Sequence, residues 1–241
     1  MEAPKVRRTK QQLEDDIINA LERLLHEHNM SDIPLLTLAK EAKVDPNAFY
    51  RRFGTMDNLY DQFVGKYDLW MNEVVNITDI RSQGAEKFYA EALKALFKAL
   101  LHNNSMQKIL LWELSFDNPT TRKTASTRAA LNMGFMVYYS NLFKHTGIDI
   151  GSLTTLFISG IYYLVLHRNH AASYLVDLNT HEGQEKVCKA IDTLVGILFE
   201  AVTQKEKLRN TILKMENDKI PHNKICDYLG ISTYQLKKAL R

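Results

Sequence analysis

The residues best equipped for contact chemistry lie between Asp45 and Thr55. Asn47 carries an amide that can pair two hydrogen bonds with the edge of adenine, and Ala48 a methyl that packs on a thymine methyl. Arg51 and Arg52 supply cations for phosphate or guanine. Phe49 and Phe53, four apart, share one side of a helix, which leaves those groups on the other. A second such group stands near the C-terminus, where Thr233, Tyr234, Gln235, Lys237 and Lys238 surround an apolar Ile231 and Leu236.

Bond-making chemistry is harder to find. No glycine-framed nucleophile elbow and no phosphate-cradling glycine loop occurs. His167 and His170 are three apart on a helical pattern, but nothing nearby supplies a third metal ligand. Cys188 and Cys226 have neither metal-ligand spacing nor the numbers for a disulfide framework. The expectation is a protein that is not an enzyme and holds no metal and no cofactor. A different set, Trp112, Phe116, Phe135, Tyr138, Tyr139, Tyr162, Tyr163 and His167, offers apolar walls with polar tips for a small organic ligand, with Glu113, Arg122 and Arg128 as polar anchors.

The elements that must hold these groups all read as helices. Leu13, Ile17, Ala20, Leu21, Leu24 and Leu25 follow the 3, 4 rhythm of one apolar face, with Thr9 as N-cap. Leu35, Leu38, Ala39 and Ala42 give a short second helix begun at Pro34. Asp45-Pro46 starts a third, which Gly54 ends near Phe53, and Thr55 caps a long fourth over 56–74. Beyond it the pattern predicts helices over 85–102, 105–115, 120–145, 151–171 and 182–202. A polar helix over 205–217 and two short ones, ICDYL and TYQLKKALR, complete the chain, with Gly230 in the turn between them and Ser232 as cap. No stretch alternates with a period of two.

Composition agrees. Ten Gly and five Pro in 241 residues are too few for a β-sandwich, and 45% hydrophobic with 24% charged residues excludes disorder. No unbroken apolar run is expected to span a bilayer, and MEAPKVRRTKQQLEDD has no secretory h-region. The net charge of +3 is unevenly spread: residues 203–241 hold nine Lys/Arg against four Asp/Glu, and the N-terminal arm carries Lys5, Arg7, Arg8 and Lys10. Both clusters suit phosphate.

The run LTLAKEAKVDPNAFYRRFGTMDNLYDQF resembles the TetR/AcrR family of bacterial transcription regulators, through Leu38-Ala39, Ala42-Lys43-Val44, Phe49 to Phe53 and Met56 to Leu59. The resemblance covers residues 7–67, and LLWELSFDNPTTRKTASTR is similar to one branch of the family. It implies an all-α chain with an N-terminal three-helix helix-turn-helix domain (1–55), a helical ligand-binding and dimerisation domain (56–203) and a C-terminal helix-turn-helix-like extension (204–241). It implies a recognition helix begun by Pro46, Asn47 and Ala48, a phosphate contact from Tyr50, and duplex contacts from Arg7, Arg8, Arg51, Arg52 and Thr55. It also implies a homodimer paired through 151–171 and 182–202, a cytoplasmic bacterial protein with double-stranded DNA as partner and no membrane, and a repressor released by a small organic ligand. Three departures, Lys43 for the turn glycine, Pro34 for a hydroxyl residue and Met56 for a phosphate-binding lysine, imply weak affinity from this element alone. Two other classes fit the residues: a helical interaction module with vestigial DNA binding, and a DNA-architectural or recombination accessory protein working through the C-terminal segment.

Overall fold

The computed structural model describes residues 8–67, 83–144, 146–170 and 176–240, and among these the regular structure is helical. Twelve α-helices follow in order: α1 Lys10–Leu24, α2 Leu35–Glu41, α3 Pro46–Phe53, α4 Met56–Gly65, α5 Ala85–His102, α6 Asn104–Ser115, α7 Pro119–Leu131, α8 Met133–Leu142, α9 Ile150–His167, α10 His181–Asn217, α11 His222–Leu229 and α12 Thr233–Leu240. They group into two compact units. One holds residues 1–76, 95–132 and 165–167, the other 77–94, 133–164 and 168–241.

The first unit carries the N-terminal helices. Thr9 caps α1 in a reciprocal box with Gln12, which satisfies backbone N–H groups that the first turn leaves free. Ile17, Leu21, Leu25, Leu38, Phe49, Phe53, Leu59 and Phe63 are all buried, so α1 to α4 share one core. Polar ties join these helices to α6 and α7. Asn104 donates to the Leu25 carbonyl at 3.2 Å, Lys108 to Asn29 at 3.0 Å, and Lys123 pairs with Asp61 at 2.8 Å. Tyr60 stacks edge-on against Trp112, with ring centres 5.5 Å apart, and its hydroxyl donates to the Met30 carbonyl at 2.5 Å. Burial, with Asp57 and Asp32 adding to it, pushes that hydroxyl up to about 12, so it stays a neutral donor at physiological pH.

The second unit packs around aromatic rings. Tyr139 lies 4.8 Å from Tyr89 and 4.6 Å from Phe135, and Phe143 lies 5.1 Å from Phe199, centre to centre. The hydroxyls are satisfied, Tyr139 donating to the Ala85 carbonyl at 2.8 Å and Tyr89 sharing a 2.6 Å bond with Thr154. The start of α10 leaves no room for a side chain at Gly183, where a Cβ would sit 1.9 Å from the Asp177 backbone oxygen. Gly183→Ala is therefore expected to lose about 2–3 kcal/mol, because backbone and not a flexible side chain blocks the methyl. A thermal melt should show a midpoint lowered by roughly 5–10 °C, and an unchanged midpoint would contradict the close packing.

Three helix readings change. Residues 120–145, expected as one helix, form α7 and α8 with a break at Asn132, whose side chain donates back to the Arg128 carbonyl at 2.9 Å. A side chain that competes for backbone groups, with Gly134 just beyond, is enough to interrupt the run. Residues 182–202 and 205–217, expected as two helices, are one helix of 37 residues. The change from apolar to polar texture near residue 203 marks a change of surroundings, and no Pro or Gly stands there to stop the backbone. The third is α9: it is 18 residues long with a mean hydropathy of 1.4 and only 22% of it buried, so by length and composition it could cross a membrane, which the sequence reading did not expect. The long helix expected over 56–74 is seen as far as Gly65, and its remainder falls partly outside the described residues.

Candidate nucleic-acid interface

α2 and α3 are joined through a turn in which Lys43 takes the left-handed conformation, φ +55°. Lys43 N–H donates to the Lys40 carbonyl at 3.1 Å and Val44 N–H to the Ala39 carbonyl at 2.9 Å, which closes the end of α2. Asp45 then caps α3, its carboxylate accepting from Asn47 N–H at 2.7 Å, and Pro46 occupies the first helical position. A lysine at positive φ is strained, since its Cβ crowds the following carbonyl. Lys43→Gly should raise the urea midpoint, by about 0.5–1 kcal/mol with an unchanged m value. A midpoint that falls would mean the Lys43 side chain contributes more than its backbone costs.

Phe49 and Phe53 anchor α3 from beneath, 1% and 3% exposed, their rings 5.3 Å apart. Asn47, Tyr50 and Arg51 stand in solvent on the opposite side, with Pro46 and Ala48 half-buried at its edge. Tyr50 leans edge-on against Phe49 at 5.8 Å, which orients its ring while leaving the hydroxyl outside. Beside α3 lies a cleft of about 950 Å³ lined by Arg8, Lys10, Lys43, Ala48, Arg51 and Arg52, with Glu14 and Asp45 also on its wall. A concave wall carrying five cations suits a phosphate backbone.

The basic side chains differ in freedom. Arg52 is bound to Glu14 through two guanidinium nitrogens, one at 3.0 Å, and lies over the Phe53 ring at 5.2 Å, so its charge is already matched within the protein. Arg8 pairs with Asp16 at 3.0 Å and donates to the Lys43 carbonyl at 2.8 Å, which pins the arm to the turn. Arg7 lies outside the described residues. Thr55 caps α4, accepting from Asn58 N–H at 3.2 Å. Lys10 belongs to the basic arm that the sequence offers to phosphate, whereas the place of Lys43 in this cleft, and of Glu14 as the partner of Arg52, emerges only from the structure. A pair 38 residues apart leaves no local trace.

The residues expected around a ligand divide between the units. Trp112, Phe116, Arg128 and His167 are in the first, and Phe135, Tyr138, Tyr139, Tyr162 and Tyr163 in the second. Trp112 is buried against Tyr60, and Arg128 is bound to Glu113 and donates to Thr124 at 2.9 Å. Arg122 instead forks onto Asp117 at the surface, at 2.5 and 2.6 Å. Phe116, Tyr138 and Tyr163 are exposed, Tyr162 and His167 half-buried, and Phe135 and Tyr139 pack on each other. At the C-terminus Thr233, Tyr234 and Lys237 are exposed. Gln235 is engaged in capping, accepting from Ser232 N–H at 2.7 Å, and Lys238 is half-buried beside a cleft that includes Asp149. No group of His, Cys, Asp and Glu able to hold a metal occurs among the described residues.

Residues 17–69 match the family model for bacterial regulatory proteins of the tetR family. No curated protein matches the chain. Among solved structures it is similar to a TetR family protein from Vibrio parahaemolyticus, with 18% identity and a TM-score of 0.54 over 75% of this chain and 97% of that one. That likeness concerns the fold. Residues 17–69, which fit that model, hold the N-terminal helices that place an anchored, outward-facing α3 after a tight turn, within an all-α chain.

Proposed function

We propose that this protein is a homodimeric repressor which leaves its operator when a small organic molecule binds among its middle helices. The observation that carries the reading is α3 itself, held from below by Phe49 and Phe53 while Asn47, Tyr50 and Arg51 face outward. Such a helix enters the major groove by its N-terminal half, where Asn47 meets base edges and Tyr50 and Arg51 meet phosphates. Residues 1–55 act as the reading domain and 56–203 as the ligand-binding and dimerisation domain, in a bacterial cytoplasm.

Dimerisation is supported by exposed apolar side chains on two helices. Leu156 on α9, and Leu194 and Ile197 on α10, are all exposed. A second copy related by a two-fold axis would cover them and set two recognition helices one helical turn apart. The same pairing accounts for the apolar character of α9 without a membrane. Coupling is supported by the contact chain from Trp112 to Tyr60 to the Met30 carbonyl, in the short turn that precedes α2. A ligand that moves Trp112 changes the seat of the helix-turn-helix, and its differential affinity for the two arrangements sets the response. Footprinting on the DNA upstream of the protein's own gene, followed by a ligand screen on the protected fragment, tests the scheme. The expected result is a two-fold symmetric footprint that one ligand class abolishes. A protein that is monomeric at micromolar concentration and protects no site would overturn it.

A further inference from the structure

The last helices repeat, in the same backbone register, the arrangement of the first domain. Counted from the left-handed turn residue, Lys43 in one case and Gly230 (φ +63°) in the other, the fifth and fourth residues before it are Leu38 and Ala39, and Ile225 and Cys226. All four are buried. The residue two beyond is the cap of the second helix, Asp45 or Ser232. The residue six beyond is Phe49 or Leu236, each 1% exposed. The turn hydrogen bonds coincide as well. Lys43 N–H donates to Lys40 and Gly230 N–H to Asp227, at 3.1 and 3.4 Å. Val44 N–H donates to Ala39 and Ile231 N–H to Cys226, at 2.9 and 3.0 Å. Both second helices are eight residues long.

The C-terminal copy has a core of its own. Ile212, Ile225, Cys226, Leu236 and Ala239 are buried together, with Leu208, Met215, Ile220, Leu229 and Ile231 packed around them, so the end of α10 serves as the supporting helix. The face left over is polar and basic. Tyr234 and Tyr228 are 73% and 72% exposed, Thr233, Lys224 and Lys237 are exposed, and residues 203–241 carry nine Lys/Arg against four Asp/Glu. In the shared register Tyr234 stands where Asn47 does, and Lys237 where Tyr50 does.

We propose that α10 to α12 form a second helix-turn-helix that binds duplex DNA, with α12 as the groove-facing helix, Tyr234 toward base edges and Lys237 on phosphate. Charge complementarity selects this occupant. A matched fold alone would serve a protein partner equally, but an excess of five positive charges on a segment of 39 residues suits a polyanion. The first domain, whose arginines 8 and 52 are held by Asp16 and Glu14, gains from phosphate contacts made elsewhere. Lys238, half-buried, takes the smaller part.

The test uses the full-length chain and a fluorescein-labelled mixed-sequence duplex of roughly four helical turns, titrated at about 50 and 200 mM salt. Four proteins are compared: wild type, Asn47→Ala/Tyr50→Ala, Tyr234→Ala/Lys237→Ala, and the combination. Tyr234→Ala/Lys237→Ala should weaken binding roughly five- to tenfold and lower the salt slope by about 1. Lys237→Arg should keep both at the wild-type value, and Lys237→Gln alone should lose the slope unit, which covers the case of a misfolded double variant. Residual binding by Asn47→Ala/Tyr50→Ala that disappears in the combination supports the second site. Unchanged affinity and slope in the Tyr234 and Lys237 variants overturns it. A changed sedimentation coefficient with unchanged duplex affinity also overturns it, by making α12 a protein contact. Loss only in the Asn47 and Tyr50 variant would leave the first domain's role standing while removing this one.

Discussion

Asn47→Ala/Tyr50→Ala in the full-length chain is expected to weaken binding to a selected operator duplex about a hundredfold. A bidentate amide–adenine pair contributes roughly 1–3 kcal/mol of discrimination, and a hydroxyl on a charged phosphate about 1.5 kcal/mol or more. Together they come to about 3 kcal/mol, or roughly two decades in Kd. Neither side chain is charged, so the slope of log K against log salt should stay as it is. Arg51→Ala should instead lower that slope by about 1 and weaken all sequences alike. Both side chains are exposed and Phe49 and Phe53 remain in place, so the melting midpoint should barely move. Retained operator affinity in the double variant would show that α3 is not the reading helix.

Arg128→Ala is expected to cost about 3–5 kcal/mol of stability, the largest effect of any single change discussed. Arg128 and Glu113 are each about 12% exposed and bound to one another across α6 and α7. Removing the cation takes the Arg128 charge away from a desolvated carboxylate, and that penalty exceeds what the pair itself contributes. The double substitution Glu113→Gln/Arg128→Met removes both charges at similar volume and should be close to neutral. Urea denaturation of the two variants and wild type measures the difference. Equal stability of Arg128→Ala and the double variant would mean the pair is effectively solvated. The double variant has a second use: if it folds and binds operator but no longer responds to ligand, the Glu113–Arg128 pair also serves as the ligand anchor.

Much of the N-terminal domain was legible from local chemistry. Thr9, Asp45 and Thr55 cap the helices they were expected to cap, and Gly54 ends α3 at Phe53. Lys43, which stands where the resemblance has a turn glycine, takes a positive φ. These are effects of a few neighbouring residues, and sequence holds them in full. The polar second half of α10 was misread because composition reports what surrounds a helix, whereas only a breaker or a competing cap ends one. The break at Asn132 came from a single side chain reaching back four residues.

The amino-acid order by itself determined the helical class, the turn between α2 and α3, and which side of α3 is apolar, since each follows from spacing and capping within about ten residues. Tertiary structure alone decided which cations are free. Glu14 holds Arg52 and Asp16 holds Arg8, and among the aromatics Tyr139 is core and Trp112 is joined to Tyr60. Charge pairing and ring packing depend on distances in space between residues far apart along the chain, and those distances exist only once the helices have packed.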